Sequence, residues 1–238
     1  MARGLTLIEL LVVVAILATV AGTVLVSQGG VEDRAGQDIT RHQLTELREA
    51  VLRFRRDTGH LPKQGPYALA SAGGEVQVPA GQDPADYAAW FHSPANLSQL
   101  YENPLAGNTE PRAYDLDTRR GWNGPYLSQR GHEVSVGDDL ASDGSAGTGE
   151  GGARLLTVPA LADSLEQAAL ATGLGAVFSW TTPAGPQPRA GRPLLLFSLD
   201  DETQARVVSC GSDGAYAPHA SSNPTAPGSD DLGVYLLR

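Results

Sequence analysis

The C-terminal part of the chain places three carboxylates around a glycine-containing loop. Asp213 lies early in this loop, and Asp230 and Asp231 lie at its end. Ser209 and Gly211 supply backbone carbonyl oxygens close to the first carboxylate. Oxygen donors of this kind suit Ca²⁺, which takes about six to eight of them in irregular loops. A solvated turn is the alternative, and the residue types alone favour it because Asp-Gly and Ser-Asp are common turn pairs.

Glu9 is the second chemically unusual residue, because it lies within an apolar stretch. The residues from Leu10 to Val26 include no charged side chain. About 20 apolar residues span a bilayer as a helix, so we expect one membrane crossing with Arg3 on the cytoplasmic side. A carboxylate within such a segment costs about 2.5 kcal/mol or more, which predicts a function for Glu9. A shallow position at the membrane interface is the alternative.

The remaining patterns give no support for an enzyme. The five histidines are far apart in sequence, and no phosphate-binding, dinucleotide-binding or nucleophile-elbow motif is present. The single cysteine, Cys210, rules out an intramolecular disulfide and is predicted to be a buried strand residue. The string from Asp139 to Glu150 fits a calcium-binding EF-hand loop only in part, so we predict an acidic loop there.

Charge separates the chain into unlike parts. The net charge is −10 overall, and residues 64–238 hold nine basic and twenty acidic residues. Phosphate neutralisation requires a basic surface, so this balance argues against nucleic acid as a partner.

The string from Gly4 to Val12, GLTLIELLV, combines a glycine, an apolar residue, Thr-Leu-Ile-Glu and a long apolar run. It closely resembles the class III signal of type IV prepilins and type II secretion pseudopilins. Leu5 stands where Phe is commonest in that signal, and the four-residue leader is short. All nine consecutive positions fit, including the acid within the apolar segment.

This resemblance implies a processing and assembly pathway. A prepilin peptidase would cut after Gly4 and methylate the new N-terminal residue, Leu5, while the apolar run stays on the mature protein. Glu9 would pair with the Leu5 ammonium of a neighbouring subunit in the filament core. Such a contact joins two different surfaces of identical copies, so it can repeat as a helical filament. A secretory signal cleaved near Ala21 and a plain signal anchor are the alternatives, and Glu9 counts against both.

The resemblance also changes the interpretation of the C-terminal loop. Major pseudopilins carry a Leu-Gly-Ala-Asp-Gly string and a later Asp-Asp-Ile, which together bind calcium. Asp213, Asp230 and Asp231 match those acidic positions. The resemblance therefore implies a structural Ca²⁺ held by these three carboxylates, with Ser209 or Gly211 supplying carbonyl oxygens.

Hydrophobic spacing predicts the elements that position these residues. One helix face carries apolar residues at intervals of three, four and three: Leu44, Leu47, Val51 and Phe54. Two apolar runs, Leu194–Leu199 and Gln204–Ser209, predict a β-hairpin, and Val234–Leu237 predicts a last strand. A helix is predicted over residues 160–172. The Gly121–Leu127 string, GWNGPYL, predicts a turn that fixes two aromatic rings at a core edge, and it resembles a string of major pseudopilins.

The fold implied by the resemblance is α+β and pilin-like. We expect a long N-terminal helix, half membrane-embedded and half amphipathic, packed on a small antiparallel β-sheet. The expected domains are a leader at 1–4, a transmembrane and filament-core helix at 5–27, a stalk helix at 28–58 and a periplasmic head at 59–238. Large loop insertions are expected at 64–115 and 128–193.

The function implied is that of a structural subunit in a type II secretion pseudopilus. Its partners would be further copies in a filament, other pseudopilins, prepilin peptidase and an inner-membrane assembly platform. The chain would span the inner membrane once, with the head in the periplasm, before entering a periplasmic filament. A minor pseudopilin, or a minor pilin for adhesion or DNA uptake, is one alternative. A membrane-anchored periplasmic binding protein or hydrolase is another.

Overall fold

The structure, a computed structural model, describes most of the chain. It covers residues 7–107, 112–128, 132–145, 152, 154–163, 177–179, 193–211, 216–219 and 223–238. The side chains of residues 9, 20–34, 132, 135 and 177–179 lie outside this description. The chain divides into two compact units, residues 1–38 and 39–238.

Helix α1 spans Leu7–Thr58 and therefore begins in the first unit. In that unit the large apolar side chains from Leu7 to Leu17 are all exposed, and Leu7 is the most exposed of them at 82%. A helix that is apolar all round is normally covered by other apolar groups. Within the part of the chain that the structure describes, no helix is both long and apolar enough to cross a membrane.

In the second unit, α1 carries the predicted apolar face into a core. Leu44, Leu47, Val51 and Phe54 have no exposed surface. The Phe54 ring packs edge-on against Tyr67 and Tyr126, with ring centroids 5.1 and 5.4 Å away. Tyr126 belongs to the GWNGPYL string, so the predicted placement of an aromatic ring from this turn in the core is confirmed.

Short helices follow α1 in the segment expected as the first insertion. They are α2, Pro84–His92, and α3, Ser98–Tyr101. Two 3₁₀ turns precede them, Gly65–Tyr67 and Ala70–Ala72. Asp83 caps α2, because its carboxylate accepts hydrogen bonds from the backbone N–H groups of Ala85 and Asp86.

Six short strands form two three-stranded sheets. The first sheet has the order β2-β1-β3, with β1 His132–Gly137, β2 Leu155–Ala160 and β3 Val177–Ser179. In it β1 pairs antiparallel with β2 and parallel with β3. The second sheet has the antiparallel order β4-β5-β6, with β4 Leu195–Phe197, β5 Arg206–Ser209 and β6 Leu232–Tyr235. The predicted hairpin is confirmed, and the predicted last strand is present but lies two residues earlier, at Leu232–Tyr235 instead of Val234–Leu237.

The second sheet is buried on both faces. Leu196 and Val207 share a core with the apolar face of α1. Leu195, Phe197 and Val208 face the other way into a core with residues of β1 and β2. Burial on both faces explains why β4 is apolar at every position instead of alternating.

This arrangement confirms the α+β class with a long N-terminal helix and a small antiparallel sheet. Residues 128–193, expected as a loop insertion, contribute an additional sheet. The helix predicted over residues 160–172 is wrong for its first four residues, because Ala160 ends β2 and residues 161–163 are not helical. Burial alternates from one residue to the next along β2, as expected of a strand, in which successive side chains point to opposite faces. Residues 164–172 lie outside the described residues.

Candidate functional site

The N-terminal candidate site is only partly described. Gly4 and Leu5 lie outside the described residues. Glu9 is part of α1, and its side chain lies outside the described residues. The neighbouring side chains of Leu7, Ile8 and Leu10 are 82%, 70% and 59% exposed. These exposed apolar side chains can pack against apolar partners, and in the sequence Glu9 is the one charged residue between them.

The C-terminal loop brings two of the predicted calcium ligands into contact. Gly211 follows β5 with a φ of +66°, a left-handed conformation that favours glycine. A Cβ atom at Gly211 would lie 2.4 Å from the carbonyl oxygen of Asp230, so glycine permits this close approach. Ser209 lies at the end of β5 opposite Leu232 of β6, so sheet pairing holds both ends of the loop together.

Asp231, another predicted ligand, makes a different contact. The buried carboxylate of Asp231 accepts a hydrogen bond from the backbone N–H of Ala217, with Oδ2 3.1 Å from the nitrogen. Asp213 lies outside the described residues. Among those that are described, no three His, Cys, Asp or Glu side chains lie close enough together to hold a metal ion.

Asp163 is a buried acid beside this loop that the sequence did not predict. Ser209 donates its hydroxyl to Asp163 Oδ2 at 3.0 Å, and Thr40 Oγ1 lies 2.8 Å from both Asp163 oxygens. All three residues are buried. The cluster links α1, the segment after β2 and the end of β5. No sequence signal connects Thr40 with Asp163, because the two are 123 residues apart.

A buried arginine fixes the middle of the same loop. Arg206 is 1% exposed, and its Nη2 donates to the carbonyl oxygens of Asp143, at 2.7 Å, and His219, at 2.6 Å. Its Nη1 donates to Ser198 Oγ at 3.0 Å, and its guanidinium carbon lies 5.2 Å from the centroid of the Phe197 ring. Arg206 therefore ties the acidic segment around Asp143 to the C-terminal loop.

The match to a known family lies at the N-terminus. Residues 1–25 match the family described as the prokaryotic N-terminal methylation motif. The chain carries a type IV prepilin signal. This signal supports a pilin-like protein and implies processing by prepilin peptidase, an N-terminus anchored in the inner membrane, and assembly with other pilins into pilus-like filaments. No curated protein and no solved structure matches the chain.

Proposed function

We propose that the chain is the major, non-catalytic subunit of a type II secretion pseudopilus. The observation that carries this proposal is the methylation motif at residues 1–25, with Glu9 inside an apolar helix. The exposed apolar side chains from Leu7 to Leu17 supply the surface that a filament core would bury. The Gly121–Leu127 string and the acidic C-terminal loop favour the major pseudopilin among pilin-like proteins.

Assembly in this proposal depends on charge and burial. Cleavage after Gly4 frees the amine of Leu5, and the Glu9 carboxylate of a neighbouring copy neutralises that amine. In an apolar core each charge is costly without the other, so the pair fixes the register of neighbouring helices. An inner-membrane platform would extract subunits into a filament that supports protein export.

We also propose that the C-terminal loop holds one structural Ca²⁺. The donor set fits a hard cation, because Asp213, Asp230, Asp231 and the carbonyls of Ser209 and Gly211 supply only oxygen atoms. The contact between Gly211 and Asp230 brings the two ends of this set together. Bound calcium would neutralise the carboxylates and stabilise the loop.

Thermal unfolding of the full chain in detergent tests this calcium site. We expect Ca²⁺ to raise Tm, with an increase that grows with the logarithm of the free Ca²⁺ concentration above Kd, and Asp213→Ala to abolish the increase. Asp117→Ala, which removes an exposed acid from a different turn, is the matched control and should keep it. A Tm that is insensitive to both Ca²⁺ and EDTA contradicts the proposal.

A minor pseudopilin or minor pilin is the second candidate. The additional sheet formed by residues 128–193 favours it, because this sheet enlarges the head beyond the small antiparallel sheet expected of a major subunit.

Two measurements test the proposed function in sequence. Mass spectrometry of the mature N-terminus should find methylated Leu5, whereas cleavage near Ala21 would refute the prepilin class. Deletion of the gene should then abolish export of secreted enzymes, and the chain should be the most abundant pilin in sheared filaments. Intact export with lost adhesion or DNA uptake would instead identify a minor pilin.

A further inference from the structure

Lys63 is the single lysine among the 17 basic residues of the chain, and it lines a cavity. This cavity, here called the Lys63 cavity, has a volume of about 240 Å³ and lies in the second unit. Its polar lining comes from Lys63, Gln64, His92, Ser142 and Asp200, and its apolar lining from Leu196 and Leu199. A cavity of this size is large enough to admit a small organic molecule.

The backbone at Lys63 is held in a conformation that lysine rarely adopts. Its φ is +64°, in the left-handed region. The backbone N–H of Lys63 donates to Gln99 Oε1 at 2.8 Å, and Gln99 Nε2 donates to the carbonyl oxygen of Tyr67 at the same distance. Gln99 is buried, so a fixed side chain maintains the strained residue. Strain maintained in this way concentrates at functional sites.

The positive charge of a protonated Lys63 amino group is poorly compensated by its surroundings. Lys63 Nζ donates to the carbonyl oxygen of Ser93 at 2.7 Å, and among the described residues no carboxylate forms an ion pair with it. Burial lowers the pKa of Lys63 from 10.5 to about 7. Burial, and then the charge of Lys63, lowers the pKa of His92. A large fraction of the Lys63 amine is therefore neutral at pH 7, and a neutral amine is the nucleophilic form.

We propose that the Lys63 cavity binds a small neutral aldehyde or ketone covalently and reversibly, as an imine with Lys63. The amine nitrogen forms a bond to the carbonyl carbon, and the carbonyl oxygen takes up a proton to give a carbinolamine. The hydroxyl group then leaves as water and a carbon–nitrogen double bond forms. One amine and one carbonyl compound give one imine and one water, with no oxidant or reductant.

The lining favours a neutral carbonyl compound over an anion. The Asp200 carboxylate lines the same cavity and would repel an anionic ligand. His92 lines the same cavity, and its imidazole can donate or accept a proton during the loss of water. Leu196 and Leu199 provide apolar contact for a short carbon chain.

Reductive labelling of the full chain in detergent tests the proposal. Propionaldehyde with cyanoborohydride, which traps an imine as a stable amine, is applied between pH 5 and pH 10. Peptide mass spectrometry measures the labelling rate at Lys63, and the same chain unfolded in guanidinium gives the reference rate at each pH. At pH 7 we expect the folded chain to react at least about tenfold faster than the unfolded chain, since its amine is far more deprotonated.

Two controls separate a cavity from an exposed reactive amine. Pyrene-1-carboxaldehyde, which is too large for the cavity, should label folded Lys63 no faster than unfolded Lys63. Ser142→Phe, with folding checked by its melting curve, should slow propionaldehyde labelling. A folded-to-unfolded ratio at or below one for propionaldehyde overturns the proposal. An equal folded-to-unfolded ratio for the bulky aldehyde would also overturn it. Saturable protection of Lys63 from labelling by acetate would overturn it too, because it would identify an anion site.

Discussion

Lys63 is a residue whose burial works against stability. Its pKa is about 7 in the folded protein and near 10.5 when solvated, so between these values the unfolded chain holds a proton that the folded chain has lost. The free energy of unfolding contributed by Lys63 therefore rises with pH across this window. We expect Lys63→Met to flatten that rise, as measured by guanidinium denaturation at pH 7, 8 and 9. Equal slopes in the two proteins would contradict a buried amine.

Arg206 is the opposite case, a buried cation with many partners. Arg206→Met would leave the carbonyls of Asp143 and His219 and the hydroxyl of Ser198 without these donors. We expect a loss of about 2–4 kcal/mol in the free energy of unfolding. Arg55→Met is the control, because Arg55 forms a half-exposed ion pair with Glu202 and should lose only about 0–1 kcal/mol. Similar losses in both variants would contradict the prediction.

Among the elements, the additional sheet has a structural role that can be tested. It covers Leu195, Phe197 and Val208 on the outer face of the second sheet. Replacing residues 128–193 by a short linker should expose this face and cause aggregation, measured by light scattering. The same deletion with Leu195, Phe197 and Val208 changed to Thr should stay dispersed. A dispersed deletion without those changes would show that the layer does not protect the sheet.

Local periodicity made part of the fold predictable. The apolar face of α1 repeats at helical intervals, and the β4–β5 hairpin consists of two apolar runs joined by a short acidic turn. Both patterns can be recognised from residues that are close together in the sequence. The sequence also showed that residues 194–197 are apolar at every position, but it could not show which segment covers the second face of the sheet.

The candidate sites were less predictable, because they join distant residues. Thr40 and Asp163 meet only after the chain has folded, and Asp163 lies in a segment whose pattern resembles a helix. Gly211 and Asp230 come together through the pairing of β5 with β6, and the sequence patterns did not predict that these two strands pair. The Lys63 cavity depends on a left-handed backbone and on Gln99, neither of which has a sequence signature.

For the whole molecule, charge and apolar surface are divided between the two units. The exposed apolar side chains of residues 7–17 lie in the first unit, and both hydrophobic cores begin at or after Leu44 in the second. The acidic balance also belongs to residues 64–238. The prepilin signal implies assembly with other pilins, and such an assembly would bury the exposed apolar side chains of the first unit.

Glu9 is the residue on which the assembly of the whole molecule should depend. We expect Glu9→Leu to enter the membrane normally, since the change makes the segment more apolar, but to reach sheared filaments at about one tenth of the normal level or less. Thr19→Leu is the matched control, because Thr19 donates its hydroxyl to Ile16 within the same helix at 2.8 Å and has no need of a partner from another copy. Membrane fractions and sheared filaments from the same cells provide the two measurements. Normal incorporation of Glu9→Leu would rule out the charge pair with Leu5, and equal loss in Thr19→Leu would point to packing of the helix instead of charge.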